Sequence, residues 1–540
     1  MGYLNFKSEY DRNPIIKLNT ELHEIVEGST KIINALSHIK KGIICFETYP
    51  GVDLDVLYKE IIYKLKPKRI INIENYTKTE IEINAMLDHH LTDDRVFGKY
   101  SLHQIKDFYN QEILDKLSQE IDLENLTIVY GFGASQIKFN HLVMVGLTRW
   151  EIQLRFRQGA TNFKTSNSTE DVLRKYKRGY FIEWRVADRI KDRYMKDADY
   201  VMDYTNLSNP SLVTGKTYRY ILDEVVSRPF RMIPYFDPGV WGGQWMKEVC
   251  DLDPNKQNFA WSFDGVPEEN SIKVQINDHM MELPAQDIVQ FRPRALMGDR
   301  VHARFGKHFP IRFDLLDTFE GGNLSLQVHP LTEYIQENFG MSYTQDESYY
   351  ILDAKDDGKV YLGFKKDVDK EAFKKDLIKS QQGDILFDAE KYVNVFPAKK
   401  HDHFLIPAGT IHCSGRNTMV LEISACVYIF TFKLWDWGRL GLDGKPRPVH
   451  LEHGFNNVQY DRDTDFVKKH LINHIEKIDD TREKTGLHER EFLETVRYNF
   501  KDEAVLKTNG SIHVGNLVDG SKMQLESLDG SFEPYKIHYA

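Results

Sequence analysis

The chain has 540 residues, of which 41% are hydrophobic and 28% are charged. That length is too great for one hydrophobic core, so the sequence predicts a multidomain protein. No apolar run approaches the ~18 residues of a membrane-spanning helix, so no membrane partner is expected. A formal net charge of −10 argues against nucleic acid as the main partner, because phosphate binding needs clustered cations. Four scattered cysteines favour a reducing, cytoplasmic location, whereas the oligomeric state stays open.

The first residues of the chain are interpreted as an N-terminal helical extension, residues 1–40. Apolar residues recur at helical spacing from Glu21 to Ile39, which predicts one helix there.

Residues 41–225 alternate short apolar runs with longer amphipathic ones. Strands are predicted at 42–47, 69–74, 126–133 and 141–147, and helices at 53–65 and 101–121. Continuous apolar strands separated by helices are typical of a doubly wound parallel sheet with both faces covered. The sequence therefore predicts an N-terminal α/β domain over residues 41–225.

Turn-forming residues become frequent after about residue 226, between short runs of β-branched and aromatic residues. This pattern is typical of an antiparallel barrel or sandwich. We interpret residues 226–440 as a mainly-β domain and residues 441–540 as a C-terminal β domain. The final run, FEPYKIHYA, ends abruptly in a strand-like pattern, as a truncated sheet would.

Three short segments of the β region carry side chains that ligate metals. In LSLQVHP, Gln327 and His329 lie two residues apart on a predicted strand and so face the same side. Glu347 opens the strand ESYYIL, and the tight turn in IPAGTIH returns His412 to the barrel. Two imidazoles, a carboxylate and an amide oxygen suit Zn²⁺, with Mn²⁺, Fe²⁺ or Co²⁺ as other occupants.

These segments belong to a longer series of motifs that resembles class I mannose-6-phosphate isomerases, which are zinc-dependent enzymes with a cupin barrel. The resemblance begins near Pro234, covers more than half of the chain and keeps the family's order of motifs. The motifs are WGGQW (241–245), RALMGDR (294–300), FPIRFDLLDT (309–318), LSLQVHP (324–330), ESYYIL (347–352), IPAGTIHCSG (406–415), VLEIS (420–424) and FKLWDWGR (432–439).

The resemblance implies a cupin, or jelly-roll, catalytic domain that interconverts mannose 6-phosphate and fructose 6-phosphate through an enediol. Such chemistry needs a metal to polarise a carbonyl, a group that carries a proton, and cations for the phosphate. The implied ligands of one Zn²⁺ per chain are Gln327, His329, Glu347 and His412. The implied catalytic residues are Glu422, Lys433 and Arg439, and the implied substrate contacts are Ser325 and Arg312.

Two positions depart from the family pattern. A family lysine in F-P-x-x-x-K is Asp314 here, and the lysine two residues before the ligand glutamate is Gln345. Each change removes a cation from the surroundings of an anionic substrate. A related sugar phosphate, an unphosphorylated sugar and a non-catalytic sensor of sugars or nucleotides therefore stay open. Another cupin enzyme, an epimerase or a dioxygenase, is a further alternative, although a glutamine ligand disfavours the dioxygenase.

The N-terminal half carries a second, weaker resemblance, to small P-loop kinases of the uridine-kinase type. Its motifs are LTIVYGFGAS (126–135), WRVADR (184–189) and ADYVMDYTN (198–206). The segment FETYPGVD (46–53) stands where the phosphate loop belongs but lacks the pattern G-x-x-x-x-G-K-[ST]. We therefore expect an inactive, kinase-like domain with a regulatory or docking role.

Overall fold

The computed structural model describes residues 2–425, 428, 430–440, 446–486 and 491–540. They form an α/β unit around one seven-stranded sheet, followed by a second unit with two large antiparallel sheets. The protein is thus multidomain and of mixed α/β and β architecture, consistent with a cupin-type domain in its second part. None of the helices in these ranges is long and apolar enough to cross a membrane.

The α/β unit contains eight helices and most of the first eight strands. The strands are β1 (Ile15–Leu18), β2 (Val26–Glu27), β3 (Gly42–Thr48), β4 (Arg69–Asn72), β5 (Leu126–Gly131), β6 (His141–Gly146), β7 (Tyr200–Asp203) and β8 (Ser211–Thr214). The helices are α1 (Ser29–Leu36), α2 (Leu54–Leu57), α3 (Glu80–Leu91), α4 (Gln111–Gln119), α5 (Arg149–Arg157), α6 (Val172–Arg178), α7 (Trp184–Tyr194) and α8 (Gly215–Val226).

The sheet of this unit has the order β2-β8-β7-β6-β3-β5-β4, and the five strands from β7 to β4 are parallel. The central strand β3 is buried at every residue, because helices cover both faces of a parallel sheet. The four strands predicted from apolar runs are confirmed as β3, β4, β5 and β6.

Two predicted helices are shorter than expected. The helix predicted from Glu21 to Ile39 is limited to α1, which begins after Gly28, a residue with φ of 87°. The helix predicted over 101–121 is limited to α4, because Asn110 caps its first turn and Tyr109 forms an extended bridge with Thr77. Residues 1–40 also contribute two strands, so the helical description of this extension was wrong.

The second unit begins with short strands and helices and continues into the large antiparallel sheets. Its strands are β9 (Tyr235–Asp237), β10 (Trp261–Gly265), β11 (Ser271–Ile276), β12 (His279–Pro284), β13 (Arg312–Asp317), β14 (Leu326–Val328), β15 (Asp346–Ala354), β16 (Lys359–Phe364), β17 (Val393–Pro397), β18 (His403–Ile406), β19 (His412–Ser414), β20 (Thr418–Ala425) and β21 (Phe432–Trp435). Its helices are α9 (Trp245–Val249), α10 (Ala285–Phe291), α11 (Pro293–Met297), α12 (Asp299–Phe305), α13 (Thr332–Phe339), α14 (Lys370–Gln382) and α15 (Ala389–Tyr392).

One large sheet has the order β18-β15-β20-β13-β10-β9, and the other has the order β17-β16-β19-β14-β21. A third, small sheet links the units, because β1 pairs in parallel with β11, which pairs with β12. Sequence alternation alone does not predict a pairing between segments so distant in the chain.

The C-terminal segment is less regular than the predicted β domain. It begins with two helices, α16 (Leu451–Asn457) and α17 (Thr464–His470). Its strands are β22 (Glu476–Lys477), β23 (Arg482–Lys484), β24 (Val496–Tyr498), β25 (Lys522–Leu525) and β26 (Tyr535–His538), which form a three-stranded and a two-stranded sheet. Residues 441–445 and 487–490 of this predicted domain lie outside the described ranges.

A buried ion-pair network joins the two units. Arg149 on α5 and Arg185 on α7 both pair with Glu268, in the loop that follows β10, and none of the three is more than 7% exposed. Arg149 also pairs with Asp188 at 2.9 Å. Because an unpaired buried charge costs several kcal/mol, these contacts favour one relative position of the units.

Glu74, just after β4, is a carboxyl whose ionisation opposes folding. Its Oε1 atom accepts a hydrogen bond from the Phe132 N–H at 3.0 Å. Burial outweighs this hydrogen bond and raises the pKa of Glu74 from 4.5 to about 7. The folded state therefore binds this proton more tightly than the unfolded state, and the stability associated with it is lost as the pH rises through about 7.

Replacing Glu74 with glutamine is expected to stabilise the protein at pH 8 by about 1–2 kcal/mol and to change little at pH 5. The amide keeps an acceptor for Phe132 but cannot ionise, and the figure is reduced because Glu74 retains some contact with water. Thermal unfolding followed by circular dichroism at both pH values measures the effect. The exposed Glu503→Gln is the matched control, and equal shifts in both variants would contradict this account.

Candidate metal centre and substrate site

Strands of both large sheets bring three of the predicted metal ligands together. His329 follows β14 and His412 begins β19 in one sheet, whereas Glu347 lies on β15 in the other. One ligand atom of each residue lies within 4.8 Å of the other two, and all three side chains are buried. It is the only such His, Cys, Asp or Glu cluster among the residues that the structure describes. The two sheets therefore face each other across this group, as in a barrel.

The turn before β19 determines where His412 lies. Gly409 in this turn has φ of 86°, and a Cβ atom there would lie 2.9 Å from the backbone oxygen of Asn457. The Gly409 N–H donates to the carbonyl of His329 at 3.0 Å. Only glycine suits both the conformation and the space, so the turn is fixed directly against the second histidine ligand.

Both histidines are held in the form that binds a metal through Nε2. The Nδ1 atom of His329 lies 2.8 Å from the carbonyl of Phe430, and that of His412 lies 2.9 Å from the carbonyl of Thr410. A carbonyl only accepts, so each Nδ1 carries the proton and each Nε2 has a free lone pair. Burial lowers the pKa of both imidazoles to about 4, which keeps them neutral near pH 7.

The acceptor atoms of His329, Glu347 and His412 point towards one another, and too few hydrogen-bond donors lie near them to satisfy every lone pair. Nε2 of His329 contacts Oε2 of Glu347, and Nε2 of His412 lies 3.7 Å from the same oxygen. The other oxygen, Oε1, is buried without a hydrogen-bond partner. The Gln327 amide lies 3.2 Å from Nε2 of His412, and a 180° rotation of the amide would direct its oxygen towards the same point. A divalent cation fits this donor set, because it satisfies the carboxylate and both imidazoles at once.

A second group of carboxyls adjoins this cluster. Glu422 on β20 lies directly opposite Asp314 on β13, whose carboxylate accepts from the guanidinium of Arg312 at 2.7 Å. Burial and the charge of Glu347 raise the pKa of Glu422 to about 8. Burial, only partly offset by Arg312, raises the pKa of Asp314 to about 7. Glu422 is thus a carboxyl that exchanges its proton near neutral pH.

The two departures from the family pattern both face this acidic region. Gln345 donates weakly to Glu347 and Glu422, at 3.5 and 3.4 Å, and accepts from the Phe430 N–H at 3.2 Å. The carboxylate of Asp314 forms an ion pair with the guanidinium of Arg312. The end of the barrel near the metal ligands is therefore acidic, and an anionic group of a substrate is disfavoured there.

The other predicted residues gather around Asp436. Ser325 donates to its Oδ1 at 2.6 Å, Arg439 donates to the same oxygen, and Arg447 pairs with Oδ2 at 2.9 Å. Lys433 is mostly buried nearby, and burial lowers its pKa although Asp436 opposes the change. Two arginines thus pair with one carboxylate and Lys433 lies within electrostatic range of it. Asp436, Arg439 and Arg447 line a small pocket with about 250 Å³ of empty space, part of it open to solvent.

Backbone register connects the two groups. Lys433 on β21 lies opposite Gln327 on β14, and Gln327 lies opposite His412 on β19. Residues directly opposite in antiparallel strands share a face, so the lysine and the predicted ligands project to the same side of this sheet. The cationic group therefore lies along the same surface as the metal ligands.

Sequence reasoning missed two charged residues of this region. Arg447 follows the last barrel strand, and its contact with Asp436 was not apparent from any motif. Glu491 has a buried Oε1 atom without a hydrogen-bond partner, and burial together with the charges of Asp346 and Glu347 raises its pKa. Both come from the irregular C-terminal segment, where neither periodicity nor motif spacing indicates a spatial neighbour.

Comparison with known proteins separates the two units. The sequence profile of a family described as a domain of unknown function, DUF8485, matches residues 28–227. These residues comprise nearly the whole α/β unit. The match assigns no activity to it, and the predicted likeness to P-loop kinases is not confirmed.

The chain is also similar to curated isomerases. The mannose-6-phosphate isomerase ManA of Bacillus subtilis is 25% identical over 299 residues, which cover 55% of this chain and 87% of the relative. The mannose-6-phosphate isomerase of Streptococcus mutans is 24% identical over 219 residues, which cover 40% of this chain and 63% of the relative. The solved B. subtilis mannose 6-phosphate isomerase aligns with a TM-score of 0.42 at 17% identity, over 57% of this chain and 90% of that one. The prediction of a mannose-6-phosphate isomerase-like enzyme is therefore confirmed.

Proposed function

We propose that the barrel unit is a zinc-dependent isomerase that interconverts mannose 6-phosphate and fructose 6-phosphate. The observation that carries this proposal is the buried convergence of His329, Glu347 and His412 in a chain whose curated relatives are mannose-6-phosphate isomerases. Gln327 is proposed as the fourth ligand. Neutral imidazoles with a carboxylate favour Zn²⁺ among divalent metals. When bound there, the metal would polarise the carbonyl of the open-chain sugar.

Glu422 is the proposed proton carrier. Isomerisation of an aldose removes the proton from C2 to give an enediolate, moves a proton from the C2 oxygen to the C1 oxygen, and returns a proton to C1. One carboxyl that takes the first proton and delivers it again serves both halves of the reaction. A pKa of about 8 lets Glu422 hold the proton between the two transfers. Ser424 donates to Oε1 of Glu422 at 3.0 Å, which orients the carboxyl.

The cationic group around Asp436 is the proposed phosphate site. Lys433, Arg439 and Arg447 supply three positive charges against one negative charge. Ser325 adds a hydroxyl that can donate to a phosphate oxygen. Since the metal end of the barrel is acidic, the sugar carbonyl is expected there and the phosphate at this opposite, basic group. Arg312 then stabilises the carboxyls of the acidic end by its positive charge and does not contact the phosphate directly.

Two wider proposals concern the whole chain. A cytoplasmic location is supported by the three free, buried cysteines Cys45, Cys250 and Cys413. A distant relation of the α/β unit to P-loop kinases is supported by its parallel sheet with helices between the strands.

Metal dependence is tested by loading the purified chain with zinc and coupling the formation of fructose 6-phosphate to a reporter enzyme. We expect one zinc per chain by elemental analysis and turnover of mannose 6-phosphate. The variant His412→Ala removes one ligand and is expected to lose the zinc and at least ~1000-fold in kcat/KM. His474→Ala, an exposed histidine, is the control. Bound zinc without turnover would reject this substrate and favour a different sugar or a sensing role.

The role of Glu422 is tested by the isosteric variant Glu422→Gln. It is expected to keep the zinc and the KM but to lower kcat by about 10²–10⁴-fold, because it cannot carry a proton. Exchange of the substrate C2 hydrogen with solvent, followed by NMR in D₂O, should be lost in parallel. Glu503→Gln, the same isosteric change at an exposed position away from the barrel, is the control. If Glu422→Gln keeps both kcat and exchange, another group carries the proton.

The phosphate site is tested by Arg447→Met, which removes the charge but keeps the length. We expect KM for mannose 6-phosphate to rise about tenfold, as for the loss of one charge-assisted hydrogen bond, with the zinc content unchanged. Turnover of unphosphorylated mannose, if measurable, should not change. Arg416→Met, which removes a more exposed arginine paired with Asp357, is the control. Equal effects on the two sugars would place the phosphate elsewhere.

A further inference from the structure

A cleft opens at the carboxyl ends of the parallel strands in the α/β unit, to which no activity is assigned. It has about 650 Å³ of empty space, part of it open to solvent. The ends of β3, β6 and β7 form its floor, at Thr48, Gly146 and Asp203. Residues 282–287, from β12 and α10 of the second unit, close one side. The cleft is thus built from both units and lies apart from the barrel site.

The position of the cleft is that of ligand sites in open parallel sheets. From β3 the chain continues to β4, which lies towards one edge of the sheet. From β6 it continues to β7, which lies towards the opposite edge. The connections after these two adjacent strands leave in opposite directions, so the helices cannot cover the space beyond their carboxyl ends. That space is this cleft, since Thr48 and Gly146 end the two strands.

The cations that line the cleft are already neutralised. Arg149 pairs with Asp188 and Glu268, and Lys191 pairs with Asp287. The backbone N–H groups of the loop after β5 are also occupied, because Gly133 and Ser135 both donate to the carboxylate of Glu47 at 2.7 Å. A phosphate would find no unpaired cation among the described residues that line the cleft.

Three carboxyls that line the cleft, those of Glu47, Asp203 and Glu282, form no ion pair within the described chain. Backbone N–H groups donate to Glu47 and to Asp203, but burial outweighs these hydrogen bonds and raises the pKa of the two carboxyls to about 7 and about 6. The remaining walls are largely apolar, with Phe132, Met144 and Ile190 among them. A ligand with an apolar body would fill the walls, and a positive charge on it would compensate the carboxyls.

We infer that this cleft binds a small, mainly apolar molecule that carries a protonated amine, with Glu47 and Asp203 as the groups that recognise the charge. The inference is independent of the isomerase proposal, because it uses no residue of the candidate metal centre or of the proposed phosphate site. It separates the unit from enzymes that bind nucleotide phosphates at the same place in a parallel sheet.

Gly146 offers a variant that blocks the cleft without disturbing its walls. A Cβ atom at this position would meet no atom within 4 Å, so Gly146→Leu places a side chain in open space. Gly515 also has no atom within 4 Å of an added Cβ, but it lies on the exposed C-terminal segment. Gly515→Leu is therefore the matched control, and circular dichroism verifies that both variants are folded.

The test uses three probes with one ring and different charges: benzylamine, benzyl alcohol and benzyl phosphate. Their dissociation constants for the full chain are measured by saturation-transfer NMR. We expect benzylamine to bind at least tenfold more tightly than the other two, and Gly146→Leu to weaken it at least tenfold whereas Gly515→Leu does not.

Three results would overturn the inference: no benzylamine binding, a preference for benzyl phosphate, or equal binding to the native chain and Gly146→Leu. The preference among the probes is measured on the native protein, so it decides the question even if Gly146→Leu does not fold. Isomerase turnover is not part of the readout, so failure here and failure of the isomerase proposal are distinguishable.

Discussion

The barrel is organised around negative charge that is buried between its two sheets. Glu347, Glu422 and Asp314 lie close enough to influence one another's ionisation, and Arg312 is the cation that offsets them. Among the described residues, these three buried carboxyls have one guanidinium beside them, and if all three were ionised the excess of two negative charges would require bound protons or a cation. Two neutral imidazoles directed at the same carboxylate favour a divalent metal, since one metal ion can bind all three groups at once.

This constraint explains why the three residues of the candidate metal centre come from both sheets. Side chains on one sheet contact neighbours on the same face of that sheet. The carboxylate on β15 and the imidazoles beside β14 and β19 belong to different sheets, so they meet only if the two sheets pack face to face. The hydrogen bond from Gly409 to the carbonyl of His329 then holds the turn before His412 in place. The metal site and the packing of the barrel are therefore determined together, and a change at this glycine affects both.

The sequence predicted the parts that depend on local chemistry. Apolar runs identified β3 to β6, because strands of a parallel sheet that is covered on both faces are nearly continuous in apolar residues. The i, i+2 spacing of Gln327 and His329 and the glycine turn before His412 predicted side chains that lie close together in the candidate metal centre, because each pattern reflects backbone geometry. It did not predict the pairing of β1 with β11 or the approach of Arg447 to Asp436, since these contacts join segments that share no periodicity. The helices predicted over 21–39 and 101–121 were too long because helical spacing does not reveal where Gly28 or Asn110 begins the helix.

The α/β unit and the barrel depend on each other for stability, and this follows from the same rule about buried charge. Glu268 belongs to the barrel side, whereas its partners Arg149 and Arg185 belong to the α/β unit. If the units separated, some charges of this network would become exposed and others would stay buried without a partner. Each charge left buried and unpaired would cost several kcal/mol. The pairing of β1 with β11 would be lost as well. Arg149 also lines the cleft at the edge of the parallel sheet, so the wall of the second site is held by the contact that joins the units. The cleft therefore exists only in the joined chain, which accounts for a site whose one side is supplied by β12 and α10.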